Sequence, residues 1–159
     1  MATNNAINQP QISFFSYMSG SSLTATGDGT VVYPVFDSTL QNLGAAYNTS
    51  TGYFNPPVNG LYLFSCGLDL SAISASHTSA ILRLLSGSAP VQVPLAMYLN
   101  IGAVRDPLNE YLLQGSVIYY LSAGHSMRIE FIVSGGTKTI DLNGGATRCW
   151  FSGNSLWAN

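Results

Sequence analysis

The chain has 159 residues, enough for one domain with a sizeable core, and only 8% of them are charged while 47% are hydrophobic. This composition is the reverse of a disordered chain, and its five basic residues form no cluster that would bind nucleic acid. The longest apolar stretches, 93–104 and 117–132, are interrupted by polar residues, which excludes a membrane-spanning helix. The apolar surplus instead indicates buried contacts between subunits.

The first eleven residues predict an extended arm. Residues 1–10 contain three Asn, one Gln and one Pro, with apolar residues only scattered among them. Such a segment is expected to become ordered only on a partner, which places the domain at residues 12–159. The segment also lacks the basic and apolar regions of a secretory signal, so either the chain stays in the cytosol where it is made or a signal has been removed, and the initial Met favours the first.

From residue 12 onward the pattern predicts strands. Apolar residues recur with a period of two and no window carries a helical stripe, so helices should be absent or very short. The alternation is clearest at 61–70, and turn clusters such as 26–29, 86–88 and 134–136 indicate a sandwich or barrel. The other predicted strands are 12–18, 31–36, 80–85, 91–99, 111–121, 127–133 and 148–157.

The most specific stretch is 47–64, which reads YNTSTGYFNPPVNGLYLF. Gly52 and Gly60 are expected to open tight bends, because glycine accepts backbone angles that other residues avoid. The prolines at 56 and 57 fix an extended connection that cannot join a sheet ladder. The aromatic residues around them should bury large apolar areas in the core.

This stretch resembles the signature of the C1q domain, a YN..TG.F..P..G.Y.F pattern that joins two core strands. Residues 121–129 resemble the family's L..GD.V.V hairpin with His125 in place of Asp, and 151–156 resemble its closing FSGFLL strand with Asn154 in place of an aromatic residue. Residues 12–17 resemble the opening FSA strand. The core signature carried by the resemblance is Phe14, Tyr47, Asn48, Gly52, Phe54, Gly60, Tyr62, Phe64, Gly124, Phe151 and Gly153.

The resemblance implies an all-β, ten-stranded jelly roll of the C1q/TNF-like type that packs as a homotrimer, with neither an active site nor a bound cofactor. The core is expected around Tyr62, Phe64, Phe131, Phe151 and Leu156. Trp150 and Trp157 are expected to fill the core or a subunit interface.

No metal or disulfide framework is predicted. Some members of the family hold calcium near the trimer apex, but here the aspartates at 28, 37, 69, 106 and 141 are scattered singly, and calcium needs six to eight converging oxygens. Cys66 and Cys149 form no CxxC or Cys/His pattern, so buried free thiols are expected, with a disulfide between them left open.

No catalytic residue is predicted either. The sequence Gly124-His125-Ser126-Met127-Arg128 approaches the G-x-S-x-G nucleophile elbow, but Arg128 replaces the last glycine and no helix follows. His77 is expected in a loop without an acidic partner nearby in sequence, and a general base needs a group that orients it.

Two functions remain open at this stage, and both use the same trimer. The first is a structural protein of a virion, either a capsid decoration (cement) protein or a fibre head domain of a bacteriophage or related virus, acting by protein–protein binding. The second is a secreted C1q-like recognition module that binds a receptor or a glycan. The sparse charge and the absence of a signal and of a Gly-X-Y repeat favour the first.

Overall fold

The period-two alternation is followed by strands along most of the chain. The computed structural model describes residues 11–20, 23–86 and 91–158. Of the arm expected at 1–11, only Gln11 falls within those ranges. The described residues form eleven strands and one short helix: β1 Ser13–Tyr17, β2 Leu23–Val32, β3 Ser38–Leu43, β4 Tyr47–Asn48, β5 Tyr53–Phe54, β6 Gly60–Ser71, β7 Ser79–Ser86, β8 Val91–Leu99, α1 Ile101–Val104, β9 Tyr111–Leu121, β10 Met127–Leu142 and β11 Trp150–Ala158.

The strands form the two layers of a sandwich. In the first layer β1 lies between β3 and β11, β11 also pairs with β6, and β6 pairs with β9. In the second layer β10 lies between β2 and β7, and β7 pairs with β8. A short pairing of β10 with β6 joins the two layers into one continuous sheet, and β5, which also pairs with β4, pairs with the start of β10. The prediction of an all-β jelly roll is therefore confirmed, with eleven strands among the described residues rather than ten because β4 and β5 contribute two residues each.

Two predictions about the first half of the chain are wrong. The strand expected at 31–36 ends at Val32, because Pro34 has no N–H to continue a ladder. The turn expected at 26–29 lies inside β2. There Gly27 allows close approach of two backbones: a Cβ on it would lie 2.6 Å from the Gly136 carbonyl oxygen.

The same error recurs in the second half. The turn expected at 134–136 lies within β10, which continues to Leu142 instead of ending near residue 133. Gly135 has a φ of +116°, and a Cβ there would lie 2.2 Å from the Ser76 carbonyl oxygen. These glycines therefore allow a long strand to pass close to the 72–78 loop, whereas the sequence pattern suggested a chain reversal. The turn expected at 86–88 lies outside the described residues except for Ser86, which ends β7.

Aromatic rings dominate the core between the layers. Phe14 stacks on Tyr47 and Phe54 at centroid distances of 4.8 and 5.1 Å, and it meets Phe151 edge-on at 4.9 Å. Phe54 also meets Tyr62 and Phe64 edge-on, at 5.3 Å in both cases. Offset and edge-to-face pairs of this kind contribute beyond the area they bury.

Leu156 does not join this core and is 51% exposed, contrary to the sequence expectation. Phe151 and Gly153 point inward, so the alternation of β11 turns residue 156 outward. Leu156 also lies at a register shift, where Ser155 pairs with Tyr62 and Trp157 with Leu61. Phe131, expected in the core, is fully buried.

Within the described ranges, no helix is both long enough and apolar enough to cross a membrane. The α1 helix spans four residues after Asn100, whose side-chain oxygen accepts a hydrogen bond from the Ala103 N–H.

Candidate association surface

Strands β6 and β9 present alternate residues to solvent on the side of the first layer away from the core. On β9, Ile118 is 54% exposed and Tyr120 is 51% exposed. They pair directly with Leu63 and Leu61 of β6, so all four side chains share one face. Trp157 of β11, 48% exposed, pairs with Leu61 from the other side. We call these five residues the β9 patch.

The β9 patch contains no charged residue and spans three neighbouring strands. Exposed apolar residues scattered singly are normal on soluble proteins, whereas contiguous patches mark contact surfaces. Because adjacent strands lie about 4.8 Å apart, side chains at paired positions form one continuous surface. The patch therefore has the composition of the centre of a protein–protein interface, where charged residues are depleted.

A polar band follows the β9 patch along the same strands. Ser65, Gln114, Ser116 and Trp150 line a shallow cavity of about 330 Å³. The Trp150 indole lies flat over Gly67, where a Cβ would stand only 2.7 Å from its Nε1 atom. Glycine at 67 thus lets the ring lie against the sheet, next to Phe15 with their planes 14° apart.

The far end of this layer is acidic. Asp69, Asp106 and Glu110 contribute to a second cavity of about 440 Å³. Asp69 forms an ion pair with Arg148, with 3.2 Å between the carboxylate oxygen and the guanidinium nitrogen. The Oδ1 atom of Asp106 accepts hydrogen bonds from the N–H groups of Leu108 and Glu110. Within the described residues, no group of three or more His, Cys, Asp or Glu could hold a metal ion.

The outer face of the second layer carries charged residues, unlike the β9 patch. Arg83 of β7 and Glu130 of β10 form an ion pair at 2.7 Å whose side chains are only 15% and 9% exposed. Beside it, the Arg128 guanidinium lies over the rings of Tyr33 and Tyr53, with its carbon 3.5 and 5.0 Å from their centroids. In the sequence, Arg128 stands out only as the residue that replaces the last glycine of a catalytic motif. No local pattern links it to two tyrosines that lie 75 or more positions away.

The signature residues fall into two structural groups. The aromatic members are all buried, and Gly153 lies where a Cβ would be 2.5 Å from the Phe14 ring. Asn48 is exposed, and its side-chain oxygen accepts hydrogen bonds from the N–H groups of Ser50 and Thr51, closing the turn that Gly52 completes with a φ of +75°. Gly60 begins β6, and Gly124 is exposed in the β9–β10 turn with a φ of +83°. These residues shape the fold, and they do not converge on a ligand cavity.

His77 and Ser126, for which the sequence predicts no catalytic role, are 49 positions apart and lie in different surroundings. His77 is buried, and its Nδ1 atom accepts a hydrogen bond from the Ser74 N–H at 2.9 Å. The other ring nitrogen then carries the proton and donates to the Lys138 carbonyl oxygen at 3.2 Å. Both nitrogens are therefore occupied, Nδ1 within the 72–78 loop and Nε2 in linking that loop to β10.

Cys66 and Cys149 are both buried and free. Burial raises the pKa of the Cys66 thiol to about 12 and that of Cys149 to about 11. Each thiol contacts a backbone carbonyl oxygen of a neighbouring strand: the Cys66 Sγ lies 3.8 Å from that of Gly115, and the Cys149 Sγ lies 3.7 Å from that of Asp69.

The family model for the C1q domain matches residues 14–153 of this chain. The chain belongs to the C1q domain family. Domains of this C1q/TNF-like kind are non-enzymatic recognition modules, and they mediate protein–protein interaction and trimerisation in the C1q and TNF proteins. No match is found among curated protein sequences.

Solved structures agree with this assignment in fold. The globular domain of zebrafish complement 1qA protein is similar with a TM-score of 0.64 at 20% identity, covering 94% of this chain and 99% of that chain. Eiger TNF from S. frugiperda gives 0.67 at 12% identity, with coverage of 95% and 96%. Murine APRIL gives 0.65 at 7% identity, with coverage of 92% and 99%.

Proposed function

We propose that this C1q domain is a homotrimeric protein-binding module that associates through the β9 patch. The observation that carries the proposal is an exposed, uncharged, partly aromatic surface on a jelly roll of a family that trimerises. Within the described residues, nothing covers Ile118, Tyr120 or Trp157, each of which exposes about half of its surface.

Association between copies explains both the position of the patch and the composition of the chain. With 8% charged residues, a monomer has few charges to keep its surface solvated. A closed three-fold assembly removes the β9 patch from water and leaves the charged face of the second layer exposed. Burying apolar area stabilises the assembly by roughly 25 cal/mol per Å² removed from water, before the cost of association.

The test is the mass of the assembly in solution. Light scattering on the unmodified protein should give about three times the 16.9 kDa of one chain at micromolar concentration. The substitution Ile118→Asp should give a folded monomer, because a buried carboxylate without a partner is costly at an apolar interface. A control at a loop residue that is 74% exposed, Leu108→Asp, should leave the trimer intact.

Two results would contradict the proposal. One is a monomeric unmodified protein. The other is a trimer that survives Ile118→Asp, because the contact would then lie on another face. Far-UV circular dichroism on each variant separates dissociation from unfolding.

For the place of action we propose the surface of a virion, with the trimer serving as a capsid decoration or fibre head domain. The support is compositional: few charges and many small polar residues suit a protein that is packed into a larger assembly. Cosedimentation with particles from the source material tests it, with Ile118→Asp as the control that removes trimer avidity. Recovery only in the particle-free supernatant would count against a virion role.

A second candidate, a secreted recognition module, is supported by the structures to which the chain is similar. C1q/TNF-like domains are typically secreted or extracellular. The same trimer would then present its outer surfaces to a receptor or a glycan. Saturable binding of the labelled trimer to intact cells, combined with absence from particles, would favour this candidate over the first.

A further inference from the structure

Arg128 lies on the outward side of the second layer, opposite the β9 patch in the sandwich. Its neighbours in β10, Met127 and Ile129, are fully or almost fully buried, so alternation turns Arg128 away from the core. Phe54 of β5 pairs with Met127, which places Tyr53 directly across from Arg128. Tyr33, just beyond the end of β2, is 41% exposed and carries the closer of the two rings.

The segment that carries Tyr33 is held in place from two sides. Gly52, next to Tyr53, lies so close to it that a Cβ would be 3.2 Å from the Pro34 carbonyl oxygen. Further along, the Phe36 N–H donates a hydrogen bond to the Tyr47 hydroxyl in the core. The two rings are thus positioned before any ligand arrives, and stacking on them restricts the guanidinium.

The guanidinium donors of Arg128 have no partner among the residues that the structure describes. Arg83 and Arg148 each form an ion pair, and Arg105 donates to the Asn109 side chain. Arg128 has neither an ion pair nor a side-chain hydrogen bond in the described ranges. All seven Asp and Glu side chains of this sequence fall within those ranges, and none of them pairs with Arg128.

We propose that Arg128, Tyr33 and Tyr53, here called the Arg128 clamp, bind a carboxylate side chain of a partner protein. A planar guanidinium can form two parallel hydrogen bonds with a carboxylate. Contact of the guanidinium with aromatic rings excludes water from these hydrogen bonds. Arginine and tyrosine are also the residues most enriched at the energetic centres of protein interfaces. The inference rests on the proposed protein-binding function and names the chemistry of the partner.

The surroundings favour a protein carboxylate over a phosphate group. A phosphate carries nearly two charges and is usually met by several cations, whereas the nearest other arginine on this face, Arg83, is engaged by Glu130. On the same face, Val31 is 40% exposed and Tyr98 is 65% exposed, and these side chains offer contacts to the rest of a peptide. An acidic residue flanked by apolar ones is therefore the expected motif.

The experiment uses the full chain and an array of hexapeptides in matched pairs that differ only by Glu or Gln at one position. Among peptides that bind, the Glu member should bind about tenfold more tightly, the ratio that one charge-assisted hydrogen bond of about 1.4 kcal/mol supplies. Arg128→Gln should abolish this preference, and Tyr33→Leu should reduce it. Arg148→Gln, which removes a different arginine, should leave it unchanged.

Every other outcome overturns the inference. Equal binding of Glu and Gln peptides, no binding at all, or a preference that persists in Arg128→Gln would each do so. A third peptide set with phosphoserine at the same position tests the source of the anion, and clearly tighter binding of that set would assign the clamp to phosphate instead. Ile118→Asp, which tests the trimer, should still bind the Glu peptide about tenfold more tightly than its Gln partner. Failure of the clamp and failure of the trimer are therefore distinguishable.

Discussion

The outer faces of the two layers differ in the charged residues that they carry. The face of β6 and β9 carries the uncharged β9 patch, and its one ion pair, Arg148 with Asp69, lies at the far end with Arg148 half-exposed. The face of β10 and β7 carries the buried Arg83–Glu130 pair and the Arg128 clamp. An uncharged face suits contact with identical copies, which would bring like charges together. A face with a positioned cation suits a different partner.

We expect the two ion pairs to differ widely in their contribution to the free energy of unfolding. Glu130→Ala should lower the free energy of unfolding by about 3–5 kcal/mol, because it leaves Arg83 buried without a partner. Asp69→Ala should cost no more than about 1 kcal/mol, since Arg148 is solvated. Urea denaturation of both variants measures the difference.

A double variant separates the pair itself from the cost of breaking it. Replacing Arg83 and Glu130 together by Met should recover most of the stability lost in Glu130→Ala, because no uncompensated charge remains. If both single variants lose the same small amount, the Arg83–Glu130 pair is effectively solvated and the contrast between the faces disappears.

Alkaline pH should act through the first layer, where both thiols lie. In the folded chain the pKa of Cys66 is raised to about 12 and that of Cys149 to about 11, against 9.0 without burial. Above pH 9 the unfolded chain releases these protons while the folded chain keeps them. Stability is therefore full below pH 9 and falls as pH rises towards 12, by at most about 1.4 kcal/mol per pH unit for each thiol.

The measurement is urea denaturation between pH 7 and 10.5, comparing the unmodified chain with Cys66→Val. Valine cannot ionise, so the variant should lose stability less steeply above pH 9, whatever its stability at pH 7. Identical slopes for the two proteins would assign the alkaline loss to other groups, among them the buried Tyr47, whose pKa is also raised.

Gly67→Ala tests the polar band of the first layer. The added Cβ would stand 2.7–2.9 Å from two atoms of the Trp150 indole, so the ring must lift from the sheet. The expected loss is about 1–3 kcal/mol, at the lower end because the partly exposed ring has room to move. The tryptophan emission, to which Trp157 contributes a constant part, should shift to longer wavelength as the Trp150 indole becomes solvated. The control is Ser65→Ala, two residues away on the same face of β6, where no clash arises. It should change neither the free energy of unfolding nor the tryptophan emission.

The sequence predicted the strands of the sandwich better than it predicted which residues lie together on its outer faces. Period-two alternation locates β6, β7 and β9 to within about two residues, because each of these strands buries one side. It misassigned 26–29 and 134–136, where glycine allows two backbones to approach closely and does not reverse the chain. That role depends on contacts between residues more than 100 positions apart, as with Gly27 and Gly136, and a single sequence does not carry them.

The candidate surfaces show the same limit. The aromatic signature follows from spacing within 47–64, whereas the β9 patch depends on the register between β6, β9 and β11. Sequence composition indicated an apolar surplus without saying which face holds it. The Arg128 clamp combines Tyr33, Tyr53 and Arg128 from three separate segments, so only the fold brings it together.

The smallest expected effect concerns the clamp and decides whether Arg128 has a structural role. Stacking of a partly exposed arginine on aromatic rings contributes about 0.5–1 kcal/mol, so Arg128→Gln should lower the free energy of unfolding by no more than that. The same substitution should remove the whole tenfold preference for Glu peptides. A small loss of stability with a complete loss of preference means that the cation is held mainly for a partner. A loss of stability comparable to that of Glu130→Ala would instead make Arg128 part of the ionic framework of the second layer, and the contrast between a face for copies and a face for partners would have to be abandoned.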